Sequence, residues 1–483
     1  MLDRRQAHRC LILIVSLVVL LSPVAGAQTA APAAPSPFAG HWEGAIQIPT
    51  GELQVMMDLT PAEGGWKGSI DIPQQGAKGL PLDKITVDGD HARFSIAGVP
   101  GDPTFDGEAK NGAIRGTFTQ GQASLPFHLG RDAVKPPRRP QEPQPPFPYP
   151  EEEVTYQNGG VRLAGTLTLP PGSGPFPAVL LITGSGAQNR NEELLGHKPF
   201  LVLADHLTRA GIAVLRVDDR GVAGSTGDSN ATSADFAEDA LAGVRFLKGH
   251  ARIAKDRIGL LGHSEGGLIA PLAASRSTDV AFIILFAGSG VPGFELLPAQ
   301  VEALNLAGGM SAVQARKEGE LTRAAVGLVR AEKDDDALRT KLTKLIQDHP
   351  DAVSPQDLAA VGGMEAFIAQ QMKFFSNPWA RFFLDYDPRP ALRKVRVPVL
   401  AVNGELDKQV LVDQNLPAIE RALREGKNPD VTVRRMPGLN HLFQTATTGS
   451  TTEYAQIEET MSPAVLDLVT RWILQRFGKK PGA

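Results

Sequence analysis

The stretch Arg257-Ile258-Gly259-Leu260-Leu261-Gly262-His263-Ser264-Glu265-Gly266-Gly267-Leu268-Ile269-Ala270 decides the fold. Its first five residues read as a strand buried on both faces, and Gly267 to Ala270 opens a helix. Between them, Gly262 to Gly266 has the form G-x-S-x-G, which sets a serine on a tight strand-to-helix turn. Such a turn is strained, so the positions two before and two after the serine must lack side chains. The helix N-terminus also directs positive charge at any oxyanion formed there. A glycine-rich turn that merely packs a helix on a sheet is the plainer reading. The strand before and the helix after favour Ser264 as a nucleophile.

A serine hydroxyl is a poor nucleophile near neutral pH and needs a base. For a nucleophile on such a turn, the acid and the base come later in the chain, at strand ends. Val397 to Val402 reads as a strand, and Asn403-Gly404-Glu405-Leu406-Asp407 leaves it. Asp407 is the expected acid; its rivals Glu405 and Asp413 are less well placed on that loop. His441 follows the last expected strand through Pro437-Gly438-Leu439-Asn440 and is the expected base. His197, His206, His250 and His349 precede the strands that supply the base, and His263 abuts Ser264 from the wrong side of the turn. An oxyanion needs two preorganised N–H donors. The amide of Glu265 is the first. In Thr183-Gly184-Ser185-Gly186 the amide of Ser185, then that of Gly186, is the second. A phosphate-cradling loop is disfavoured there, because no lysine follows at the required spacing.

Outward from this core, strands are expected at Val154–Gln157, Ala164–Leu169, Ala178–Thr183, Ala213–Val217, Ile258–Gly262, Phe282–Phe286, Val397–Val402 and Thr432–Met436. They alternate with helical segments, which predicts a mostly parallel eight-stranded sheet covered on both faces. The interruption from about residue 290 to 392 is largely helical and too long for a simple crossover, so it reads as a cap. Phe374, Phe375, Trp379 and Phe382 cluster at its end with Phe383. They either line an acyl pocket or form the core that seats the cap. Asp218-Asp219-Arg220 reads as a structural ion pair tying loops beneath the site.

Upstream, prolines at 136, 137, 140, 143, 145, 146, 148 and 150 mark a semi-rigid spacer over 132–150, its charges solvated. Residues 38–131 carry short alternating segments, such as Val55, Met57, Leu59 and Leu125, Phe127, Leu129. Asp88-Gly89 and Asn111-Gly112 are turn signals, so about eight strands in a small antiparallel barrel or sandwich are expected. That domain is either a packing partner or a binding module. Residues 28–37 are an Ala/Pro-rich lead-in expected to be disordered. Before it, Arg4, Arg5 and Arg9, the apolar run Leu11 to Leu21 and Ala25-Gly26-Ala27 match a signal peptide over 1–27, with cleavage after Ala27 and a secreted or periplasmic destination. The apolar run is short for a membrane anchor, and no stable span is expected after cleavage.

The 483 residues leave room for two domains, with 42% hydrophobic and 21% charged residues, an ordinary globular composition. A net charge of -4 leaves no basic footprint for nucleic acid. The single cysteine, Cys10, lies in the leader. The mature chain therefore has no disulfide, thiol nucleophile or thiolate metal site. No metal or nucleotide motif is present, and no cofactor is expected.

Thr183 to Glu192, Gly196-His197-Lys198-Pro199-Phe200, Asp218-Asp219-Arg220-Gly221 and Gly262 to Gly267 resemble the bacterial EstD-type esterases of the α/β-hydrolase superfamily. That group is itself similar to serine aminopeptidases and prolyl-oligopeptidase-like hydrolases. The resemblance runs from about Glu151 to the C-terminus. It implies an α/β-hydrolase fold, a Ser264–Asp407–His441 triad and hydrolysis of a small-molecule carboxylic ester. Ala223 stands where many such proteins carry glycine, a difference expected to touch the loop and not the chemistry. The expected activity is on short-to-medium acyl esters. A peptidase gripping a free amino terminus with Glu192 or Glu193 is the alternative, and a non-enzymatic binding protein a third.

Overall fold

Eight short strands, each alternating inward and outward residues, open the described part of the chain. They are β1 (Gly40–Ile48), β2 (Gly51–Ala62), β3 (Gly65–Ile72), β4 (Ala77–Asp88), β5 (His91–Ile96), β6 (Thr104–Lys110), β7 (Ala113–Gln120) and β8 (Ala123–Gly130). Neighbours in sequence pair antiparallel, and β1 also pairs with β8, with Gly44 opposite Leu129 and Ile46 opposite Phe127. The sheet is therefore a closed barrel, without a free edge. The hairpin between β6 and β7 turns on Asn111 at φ 53° and Gly112 at φ 76°, the left-handed pair that a two-residue turn requires. Val55, Met57, Leu59, Phe94, Phe127 and Leu129 all face the interior. Phe105 lies at its centre, with ring centroids 5.2 Å from Phe94, 4.8 Å from Phe118 and 5.0 Å from Phe127.

The computed structural model describes residues 36–48, 51–72, 77–99, 101–121, 123–131, 138–353, 358 and 362–478. The leader, nearly all of the lead-in and residues 132–137 of the spacer lie outside them. The described residues form two compact units, one holding those up to 131 with 308–310 and those within 339–373, the other 138–307, 311–338 and 374–478.

The second unit is built on β9 (Glu151–Asn158), β10 (Val161–Thr168), β11 (Phe176–Ile182), β12 (Ala213–Val217), β13 (Ile253–His263), β14 (Phe282–Phe286), β15 (Val399–Gly404) and β16 (Val431–Met436). Their order is β16-β15-β14-β13-β11-β12-β10-β9. The pairs from β12 through β16 are parallel, and β10 runs antiparallel to both β12 and β9. The central strands are apolar throughout because both faces are covered; β11 and β14 expose nothing. Helices α1 (Pro199–Arg209), α2 (Ser233–Gly249) and α3 (Gly266–Ala274) link β11 to β14. The chain leaves β11 for β12 on one side and returns to β13 on the other. That reversal opens a crevice at the carboxyl ends of β11 and β13. This is the α/β-hydrolase fold, with a barrel before it and a helical segment between β14 and β15. Among the described residues that segment holds Gly293–Ala307, Ala312–Ala331, Asp335–Asp348, Met364–Phe375, Pro378–Asp385 and Arg389–Leu392.

Residues 138–150 belong to this second unit and are not simply solvated. The Arg139 guanidinium donates to the carbonyls of Leu195 (3.1 Å), Gly196 (3.3 Å), Ala455 (2.8 Å) and Ile457 (3.0 Å). Glu142 accepts from Lys198 at 2.5 Å, and the Gln141 amide brackets Thr460 and Met461. A bend rich in proline presents these side chains to loops whose carbonyls have no helix or strand partner.

Candidate active site

Ser264 stands at the crevice, between the last residue of β13 and the first of α3, with φ 54°. A left-handed φ is costly for a residue with a Cβ and persists only where its surroundings impose it. The glycines two before and two after it have no room for a side chain. A Cβ on Gly262 would lie 1.9 Å from the Gly266 carbonyl oxygen, and one on Gly266 would lie 2.2 Å from that of Ile182. The Ser264 amide donates to the Phe286 carbonyl of β14 at 2.8 Å. Glu265 is the N-cap of α3, so its N–H has no acceptor within the helix.

Asp407 and His441 come from the loops after β15 and β16, and both are buried. Asp407 Oδ2 lies 2.8 Å from His441 Nδ1. Asp407 Oδ1 accepts from the amides of Gln409 (2.8 Å) and Val410 (2.9 Å), which fixes the carboxylate and leaves its other oxygen for the imidazole. Of its two rivals, Asp413 instead pairs with Arg435, and Glu405 is exposed.

The loop after β11 brings Gly184, Ser185 and Gly186 to the same crevice. A Cβ on Gly184 would lie 3.2 Å from Ser264 Cβ. The Gly184 amide is engaged, donating to Glu192 Oε1 at 2.6 Å. Ser185 and Gly186 are exposed, and Gly186 takes φ 100°. The Ser185 hydroxyl bonds the Glu265 carboxylate. Glu265 Oε1 also accepts from Ser233 Oγ (2.6 Å) and from the Trp379 indole (2.8 Å). Burial raises the Glu265 carboxyl above its usual range, and these three donors hold the rise in check. A narrow cleft opens beside this loop, lined in part by Thr183, Gly184, Gly186, Asp219 and Glu265.

Of the aromatic cluster, Trp379 alone is tied to the nucleophile turn, through that indole bond. Phe374 packs edge-on to Phe375 and Trp379. Phe375 is buried, Phe382 stacks on Tyr386, and Trp379 stacks on Phe383. The acidic loop after β12 forms two ion pairs that tie it to other elements, and its third member, Asp219, pairs with no cation among the described residues. Arg220 grips Asp239 of α2, Asp218 is held by Arg190, and Asp219 accepts from the Thr183 hydroxyl and the Gln188 amide. Neighbours on one strand end point apart, so each finds its partner on another element. Ala223 on this loop takes φ 45°, a conformation glycine adopts freely.

The sequence reading named Glu192 and His263 separately and missed that they pair with each other. His263 Nδ1 lies 2.9 Å from Glu192 Oε1, and His263 Nε2 lies 3.0 Å from the His441 carbonyl oxygen. Both ring nitrogens face acceptors, so both must donate, which requires the imidazolium. Burial opposes that charge, but the Glu192 carboxylate outweighs it and raises the His263 pKa. Glu192 is therefore committed to His263 and Gly184, and is not free to grip a substrate amine. Among the described residues, no cluster of His, Cys, Asp and Glu is arranged to hold a metal ion. Nor is any described helix long and apolar enough to cross a membrane.

The fold and this crevice define a hydrolase of the α/β-hydrolase type. Residues 159–435, more than half of the chain, match the X-Pro dipeptidyl-peptidase (S15 family), and the chain belongs to that family. It is similar to Esterase EstD of Thermotoga maritima, 27% identical over 332 residues that cover 68% of this chain and 69% of that protein. A shorter likeness joins it to the peroxisomal succinyl-coenzyme A thioesterase of Mus musculus, 30% identical over 140 residues, 29% of this chain and 30% of that protein. Among solved structures, the α/β hydrolase GrgF from Penicillium aligns at a TM-score of 0.43 with 16% identity, over 68% of this chain and 100% of that one.

Proposed function

We propose that the protein is a serine carboxylic-ester hydrolase that forms an acyl-enzyme on Ser264. The 2.8 Å contact between Asp407 Oδ2 and His441 Nδ1, together with a serine held at φ 54° on a strand-to-helix turn, carries this reading. His441 Nε2 takes the hydroxyl proton as Ser264 Oγ bonds to the ester carbonyl carbon. The amides of Glu265 and Ser185, with Gly186 as the alternative, receive the oxyanion. Collapse breaks the ester C–O bond, and His441 returns the proton to the leaving alcohol. Water then repeats the sequence and releases the acid. Asp407 holds the imidazole in the required tautomer and stabilises its charged form.

The substrates of this reading are short-to-medium acyl esters; it is supported by the helix Pro378–Asp385, which Trp379 ties to the nucleophile turn. Turnover of p-nitrophenyl esters from two to twelve acyl carbons tests this; rates climbing steadily to the longest chain would overturn it. Ser264→Ala should abolish both turnover and labelling by a fluorophosphonate.

Peptide hydrolysis is the second reading, favoured by membership of the S15 family. The amine grip would then fall to Glu193, which is exposed and accepts a 3.4 Å bond from the Asn189 side chain. Aminoacyl-anilide turnover exceeding ester turnover would select it. Export follows from the leader pattern of residues 1–27. An N-terminus beginning at Gln28 in the purified mature protein is the expected result.

A further inference from the structure

The geometry points to Glu192 and His263 as a positioning pair that braces the oxyanion loop against the loop bearing His441. This rests on the acyl-transfer reading above and adds two residues to it. One carboxylate oxygen, Glu192 Oε1, takes the Gly184 amide at 2.6 Å and His263 Nδ1 at 2.9 Å. His263 Nε2 then donates to the His441 carbonyl at 3.0 Å, and the two imidazoles lie 4.8 Å apart between ring centroids. A continuous chain of hydrogen bonds therefore runs from the loop after β11, beneath the nucleophile turn, to the backbone of His441. Asp407 fixes the far end of the His441 ring, and His263 fixes the backbone from which that ring hangs.

His263 is not itself a base for Ser264, because both of its ring nitrogens are donors to other groups. Nor is the pair explained by stability alone. A buried ion pair seldom outperforms apolar packing of the same volume. Here the carboxylate also sits on a non-glycine backbone at φ 51°, a further cost. What the pair does supply is register between these two loops beside Ser264; their other meeting point, at His197, Tyr454 and Thr460, involves neither the oxyanion amides nor His441. Acyl transfer is sensitive to errors of an ångström in that register.

The test compares wild type, Glu192→Ala and Glu192→Gln on p-nitrophenyl butyrate, with thermal melting and fluorophosphonate labelling of each. Glu192→Ala is expected to lower kcat by roughly 100-fold with KM changed less than about threefold. Glu192→Gln is expected to recover kcat to within about tenfold of wild type. Its amide oxygen, in the place of Oε1, still accepts from the Gly184 amide and from His263 Nδ1–H, so the joint between the two is kept while the negative charge is removed. Should Glu192→Ala fail to fold, His263→Asn takes its place; it spares the Glu192–Gly184 bond and should also lower kcat more than about tenfold. A folded Glu192→Ala protein with wild-type kcat, or a folded Gln variant no better than Ala, would overturn the brace. A wild type without Ser264-dependent labelling would overturn the acyl-transfer reading instead.

Discussion

In the barrel, Ser95 and Thr104 are the buried polar side chains among the described residues, and they satisfy each other at 3.0 Å. In the hydrolase unit, His197, Asp218, His263, Glu265, Asp407 and His441 are all buried, and each is held by a group on another element. One interior is closed by shape and the other by a polar network. The difference teaches where chemistry sits. An apolar core has nothing to lose by becoming featureless, whereas buried charge is costly unless its partners are complete, and it is retained where it does something.

The comparison breaks hardest at Ser264. Ser264→Ala is expected to cut ester turnover at least about 10⁴-fold with no loss in melting temperature. Gly266→Ala attacks the same turn through sterics. Its Cβ would meet the Ile182 and Thr183 carbonyl oxygens at 2.2 and 2.7 Å. We expect a loss above about 5 kcal/mol, read as a collapsed denaturant midpoint or absence of soluble protein. In the barrel, Phe105→Ala leaves a cavity among three other rings and should cost about 3–5 kcal/mol of barrel stability, with ester kcat within about twofold. A large fall in kcat there would erase the distinction between the two interiors.

A pH titration sharpens it further. His197 is enclosed, with Nδ1 against Thr460 and Nε2 against the Tyr454 carbonyl, and burial lowers its pKa to about 4. The unfolded chain takes up this proton near the ordinary value of 6.5, the folded one only near 4. Stability is therefore lost as pH falls through that window, by on the order of 3 kcal/mol. His197→Gln should flatten the corresponding part of the curve of melting temperature against pH. The smallest effect is expected at the exposed Arg424–Glu420 pair, where Arg424→Ala should change stability by less than about 0.5 kcal/mol.

Much of this was legible in the sequence for a physical reason. A strand buried on both faces leaves an uninterrupted apolar run, and one buried on a single face leaves an alternation. The eight strands of the second sheet and the inward residues of the barrel could be read this way. So could Gly262 and Gly266, because a tight turn excludes side chains by rule. The brace could not, because its bonds join residues 71 and 178 positions apart, with nothing local to mark them. The tie between Trp379 and Glu265, 114 positions apart, is hidden for the same reason. Asp218 and Arg220 could be read as ion-pair residues that tie loops, but their partners, Arg190 and Asp239, lie on other elements and carry no local mark.

Arg139 has a practical consequence. Its guanidinium meets four loop carbonyls from two distant segments, and one of those segments also carries the Tyr454 oxygen that holds His197. A shortened chain that began at Glu151, where the prolines end, would strip those oxygens of their donor and let water into the floor beside His197. The boundary for isolating the hydrolase lies earlier, ahead of Arg138. Residues 138–150 of the apparent tether are better counted as a covalently attached clasp of the enzyme it precedes.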